Sequence, residues 1–118
     1  MTPHATITRA GLARMIDDTL LKAIIETALI GPGRIAPVSL AVEAGGADFV
    51  KTCTGFHPAG GATIAAVEAI AGAVGGRLGV KASGGIRTAD EALAMIAAGA
   101  TRIGTSHTAA ILNGVHDE

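Results

Sequence analysis

The chain predicts an α/β fold in which a parallel sheet of about four βα units is covered by helices. Three observations lead there. Short apolar, β-branched runs begin near residues 24, 49, 78 and 102, which are 24 to 29 residues apart, the length of one βα unit. Helix-period stretches lie between them, and glycine pairs or Gly31-Pro32-Gly33 punctuate the joints. The runs are apolar almost throughout instead of alternating, as in strands buried on both faces.

Each element has its own local reason. Residues 8–16 read as a separate short helix, and residues 17–22 as a turn into a strand. Residues 23–30 (AIIETALI) read as the first strand of the repeat, ended by Gly31-Pro32-Gly33. A helix over 35–44 stops at Gly45-Gly46. Residues 49–54 form the second strand, followed by a loop over 55–61. Thr63 then caps a helix that runs to about residue 74. Residues 78–83 are the third strand, and Thr88 with Glu91 three positions on is a capping box for a helix through Ala98. Residues 102–105 are the fourth strand, and residues 108–112 begin a last helix. One domain over 1–118 is expected, with an N-terminal segment over 1–22 and the βα repeats over 23–114. The Lys22-Ala23 junction carries no loop signal; two apolar segments run directly together there.

Composition removes several classes of function. The chain is 49% hydrophobic and 16% charged, which fits a globular domain with a modest core. Net charge is −1 and the only aromatics are Phe49 and Phe56, so neither a basic face nor stacking residues suit nucleic acid. No uninterrupted apolar stretch reaches membrane-spanning length, and residues 1–9 lack the apolar centre of a signal peptide. A lone Cys53 excludes an intrachain disulfide and fits a reducing cytoplasm, the expected location. His4, His57, His107 and His116 show no HExxH pattern or close pairing, so no metal or other cofactor is expected.

The chemistry-bearing feature is a pair of lysines. Lys51 and Lys81, 30 residues apart, each close a short apolar run at βαβ spacing. Burying an ammonium is unfavourable without a partner. If adjacent strands hold the two roughly 5–6 Å apart, their repulsion at an effective dielectric near 20 is about 3 kcal/mol. That favours keeping one of them as a free amine, the form a nucleophile needs. The competing reading is two surface lysines whose stems snorkel. Gly84-Gly85-Ile86-Arg87-Thr88 after the third strand and Gly104-Thr105-Ser106 after the fourth suggest an anion site of backbone N–H groups at helix N-termini, with Arg87 adding a charged fork. The last two βα loops of (β/α)8 barrels recurrently bind phosphate; the alternative is that these glycines only permit tight turns. His57 and His107 fall in strand-to-helix loops, open to substrate or to solvent. Glu26, inside the first strand, is expected to pair inward with a lysine.

At these residues the chain resembles the deoxyribose-phosphate aldolases, class I aldolases with a (β/α)8 barrel. Residues 47–54, 79–88 and 97–106 look like that family's last three strands and their loops, and residues 15–22 resemble its first strand. The resemblance implies a half barrel of a TIM-barrel family, with Lys51 forming the imine and Lys81 keeping it partly unprotonated. It also implies that Asp17 and Thr19 contact the site, and that Gly55, Gly84, Ile86, Arg87, Gly104 and Ser106 belong to the phosphate-binding loops. Asp18 stands where the family commonly has a histidine, and His107 where some members have a second serine. The family's chains are about twice as long as this one. Everything between the first strand and the fifth is absent at Lys22-Ala23, including an aspartate that works with the lysines in proton transfer.

The expected function is reversible cleavage of 2-deoxy-D-ribose 5-phosphate to D-glyceraldehyde 3-phosphate and acetaldehyde through a lysine imine. The alternatives are a catalytically silent half barrel that binds phosphosugars and a purely structural fragment. The expected partners are a small phosphorylated sugar and other copies of the chain. Two bare sheet edges and an inward apolar face (Ile25, Val50, Val80 and Ile103, or their alternating neighbours) point to a homo-oligomer.

Overall fold

The computed structural model describes residues 7–16, 21–54 and 60–115. Its elements are α1 (Arg9–Ile16), β1 (Lys22–Ile24), α2 (Thr27–Ile30), α3 (Pro32–Ala44), β2 (Phe49–Lys51), α4 (Ile64–Val74), β3 (Gly79–Ser83), α5 (Ala89–Ala98), β4 (Arg102–Gly104) and α6 (Thr108–Asn113). The strands form one parallel sheet in the order β1-β2-β3-β4, so every connection is a crossover to the neighbouring position. This is the predicted α/β architecture, and a half barrel accommodates it.

Helix starts follow local chemistry. Thr63 caps α4 by accepting the Ala66 N–H at 3.1 Å. Thr88 accepts the Glu91 N–H at 3.2 Å, while Glu91 accepts the Thr88 N–H at 3.1 Å, completing the capping box of α5. Thr88→Ala should lower the unfolding free energy by about 1 kcal/mol, read as a lower urea midpoint at unchanged slope. Hydrogen bonding from the Arg87 amide, followed by that from Thr88, holds the Glu91 carboxyl below its ordinary value. This contribution to stability is therefore present above the usual carboxylate range and lost as pH falls through the folded-state value. Amide exchange at Arg87 and Thr88 should lose protection over that acid interval.

Residues 23–30 are not one strand. β1 ends at Ile24, and Thr27–Ile30 is a helix. The Ile25 and Thr27 amides still bond to β2, to the carbonyls of Lys51 (3.1 Å) and Thr52 (2.9 Å). Between them Glu26 takes a left-handed backbone (φ 46°, ψ 66°), which turns the chain out of the sheet. Pro32 then starts α3. The Lys22-Ala23 junction lies inside β1.

The core sits between the sheet and its helices. Val50, Val80, Ala82 and Ile103 point from the strands into a cluster with Val67, Ile70 and Val74 of α4, Ala92 of α5 and Ile111 of α6. The expectation that Val50, Val80 and Ile103 line an exposed inward face is therefore corrected, and Ile25 too is buried in this cluster: helices cover these side chains. Their alternating neighbours on the other face are Lys22, Ile24, Phe49, Lys51, Lys81 and Arg102, a surface that carries cationic side chains beside the apolar Ile24 and Phe49. From the opposite end of the chain, α1 packs against β4 and α6 with Leu12 fully buried.

Candidate active site

The face away from the helices is built in two layers, each needing a glycine. In the lower layer the Phe49 ring lies across Gly79 of β3, where a Cβ would approach ring carbons to 2.1 Å. Beyond it the Arg102 guanidinium sits 5.4 Å from the ring centroid, in cation–π range. In the upper layer Lys51 pairs with Lys81 in the β2–β3 register, so both side chains leave the sheet on the same face. The Lys81 stem passes over Gly104 of β4, where a Cβ would meet its Cε at 3.0 Å and the Ser83 Cβ at 2.7 Å. That packing leaves Lys81 only 8% exposed, while Lys51 is half-buried. The snorkelling reading does not fit Lys81.

Both lysines open into a cleft of about 370 Å³ at the C-terminal ends of the strands, lined also by Thr54, Ser83, Gly84, Gly85, Ile86, Arg87, Gly104, Thr105, Ser106 and His107. The structure thus joins Lys51, Lys81, Gly84, Ile86, Arg87, Gly104 and Ser106, all singled out from the sequence, in one cavity. Asp17, Thr19 and Gly55 lie outside the described residues, as do Asp18, His4, His57 and His116.

Two details differ from the expectation. The amides of Arg87 and Thr88 at the start of α5 are engaged by Glu91 Oε1 at 2.9 and 3.1 Å, so the helix terminus proper already has its anion. The glycines just before it, Gly84 (φ 93°) and Gly85 (φ 78°), adopt backbone conformations that favour glycine and line the cleft without side chains. Glu26 stands at the C-terminal end of β1, not inside it. Its Oε1 accepts the Thr54 N–H at 3.0 Å, and its buried Oε2 has no hydrogen-bond partner among the described residues.

Sequence reasoning placed Thr105 in the second anion loop but missed its role as a tie between loops. Its hydroxyl donates to the Ile86 carbonyl at 2.7 Å and accepts the His107 N–H at 2.9 Å, tying the β3–α5 and β4–α6 loops together. A threonine directly after a strand-end glycine was the available signal. Among the described residues, no group of three or more His, Cys, Asp or Glu could hold a metal ion, and no helix is long and apolar enough to cross a membrane.

A cleft above the carboxyl ends of parallel strands, walled by successive βα loops, defines a protein of the (β/α)-barrel class, present here as a half barrel. No family model matches the chain. Over 95 residues it is 62% identical to the deoxyribose-phosphate aldolase of Frankia alni, covering 80% of this chain and 42% of that protein. Among solved structures it superposes on the aldolase QR15 with a TM-score of 0.73 at 44% identity, over 78% of this chain and 41% of that one. The tetrameric deoxyribose phosphate aldolase of Aeropyrum pernix matches with a TM-score of 0.72 at 35% identity, over 80% of this chain and 41% of that one. The chain belongs to the deoxyribose-phosphate aldolase family, and it spans about half the length of the curated relatives it matches.

Proposed function

We propose that the chain performs class I aldol chemistry on 2-deoxy-D-ribose 5-phosphate, with Lys51 as the imine-forming amine. The observation that carries this reading is the pairing of Lys51 with Lys81 across adjacent strands at the floor of the cleft. Lys51 Nζ adds to the substrate carbonyl carbon, and loss of water from the carbinolamine gives the imine. As the hydroxyl on the carbon being released loses its proton, the cationic imine accepts the electron pair of the breaking carbon–carbon bond, releasing glyceraldehyde 3-phosphate and leaving an enamine. A proton returned to the enamine carbon restores the imine, and its hydrolysis gives acetaldehyde and the amine. Lys81 favours the free-amine form of Lys51 by charge repulsion. The Gly84-Gly85-Ile86 loop, Arg87, Gly104 and Ser106 hold the phosphate, and by resemblance Asp17, Thr19 and Gly55 complete the site.

Borohydride reduction in the presence of acetaldehyde, read by peptide mass spectrometry, tests the first step. The expected result is one adduct, on Lys51, near neutral pH. An adduct confined to other lysines, or none, overturns the reading. Turnover of deoxyribose 5-phosphate by the same chain tests the whole cycle. It is expected to be slower than the trapping step, because the aspartate that the family uses for proton transfer is absent.

Arg87→Ala should weaken binding of deoxyribose 5-phosphate by about 1.5–3 kcal/mol, the scale of a charge-assisted hydrogen bond, and leave deoxyribose affinity unchanged. Calorimetry with the two sugars checks it, and equal losses for both would remove Arg87 from the phosphate site.

Self-association belongs to the same reading. Among the described residues β1 and β4 each have a strand on one side only, and Leu21 and Ile24 are exposed at the β1 edge. Direct stacking of the two cationic faces would bring like charges together, so we place the contact at the strand edges. Sedimentation at micromolar concentration should show a species heavier than the 11.6 kDa chain; a well-folded monomer would refute it.

A further inference from the structure

The backbone ladder between β2 and β3 ends at the lysine pair, and side chains carry it on. Thr52 N–H donates to the Lys81 carbonyl at 3.0 Å. The Thr52 carbonyl faces the segment that follows β1, where it accepts the amide of Thr27 at the start of α2 at 2.9 Å. The Ser83 amide donates instead to Thr52 Oγ1 at 3.0 Å, and the Thr52 hydroxyl donates to the Ser83 carbonyl at 3.0 Å. The Cys53 thiol donates to the same carbonyl at 2.9 Å, and the Ser83 hydroxyl donates to the Cys53 carbonyl at 2.5 Å. All three residues are buried.

We propose that Thr52, Cys53 and Ser83 form a side-chain clasp that positions Lys51 against Lys81, with Thr52 as its principal positioning residue. The inference rests on Lys51 being the imine-forming amine. The physical reasoning starts from the path of β2. Past Lys51 the strand turns toward β1, so it cannot offer β3 another main-chain rung, yet the Ser83 amide and carbonyl are buried and need partners. The Thr52 hydroxyl supplies both a donor and an acceptor one residue after Lys51. Without it the Ser83 amide is left unsatisfied, and the readiest relief is for the end of β3 to move toward water. That movement displaces Lys81, two residues earlier, and the Gly84-Gly85 turn, one residue later. The Cys53 thiol is a weak donor, so its share is smaller.

The test compares wild type, Thr52→Val and Thr52→Ser in acetaldehyde–borohydride trapping at Lys51, with urea unfolding showing that each variant is folded. The maximal trapping rate of Thr52→Val should fall about tenfold or more, with half-saturating acetaldehyde unchanged, and Thr52→Ser should restore it. A folded Thr52→Val chain that traps at the wild-type rate overturns the proposal, as does a Thr52→Ser chain as slow as Thr52→Val. A wild type without any Lys51 adduct overturns the positioning role along with the imine reading. Amide exchange at Ser83 then judges the clasp by itself. Protection in wild type and Thr52→Ser but not in Thr52→Val supports it, and equal protection in all three refutes it.

Discussion

Lys51→Ala is expected to abolish the borohydride-dependent adduct and reduce aldol turnover to background, while the urea midpoint stays near that of the wild type. The two halves of this expectation come from the same geometry. Lys51 leaves the sheet on the face away from the helices, so removing it leaves the cluster around Val50 and Ile70 intact. Loss of a covalent nucleophile, by contrast, removes an intermediate outright. Lys81→Leu should behave differently: the adduct still forms, but more slowly at neutral pH, since the neighbouring charge no longer favours the free amine. Trapping in Lys51→Ala at the wild-type level would move the nucleophile elsewhere in the cleft.

The second large effect is on stability. Ile70 is fully buried at the middle of α4, within the core cluster beneath the sheet. Ile70→Ala should lower the unfolding free energy by about 2–5 kcal/mol through lost transfer energy and a residual cavity. Ile70→Val should lower it by only about 0.5–1.5 kcal/mol. Against a typical domain stability of about 5–15 kcal/mol, the alanine variant loses a large fraction of the total. Paired urea titrations decide the point, and equal midpoints for the two variants would mean that this part of the core collapses to fill the space.

The βα rhythm was legible in the sequence because spacing and capping are local. Thr63, the Thr88–Glu91 box and the strand cores around Val50 and Val80 could each be read within a few residues. The lysine pair was legible for a related reason: the length of a βα unit sets the register of adjacent parallel strands. Residues 27–30 were misread because a four-residue apolar run is compatible with either a strand or a helical turn. What decided between them was Glu26 in a left-handed conformation, fixed by bonds from Ile25 and Thr27 to β2. The orientation of the sheet was left open between two alternating sets. A near-continuous apolar run does not say which of its alternating positions meets the helices, and Lys51 and Lys81 were the residues that could have shown it. The clasp and the Phe49–Gly79–Arg102 layer depend on contacts between strands, which no single segment encodes.

The seat of α1 bears on how the chain folds. This helix lies near the start of the chain yet packs on β4 and α6, and Arg9 donates to the Asn113 side chain at 3.3 Å across 104 positions of sequence. Leu12 therefore finds its buried environment only after residues 102–113 exist and have joined the sheet. Closing so long a loop is entropically unfavourable until the contacts it permits are made, and such non-local pairing slows folding. During synthesis α1 must wait, unpacked, while the βα units are assembled one after another. Its docking on β4 and α6 therefore joins segments 104 positions apart in sequence.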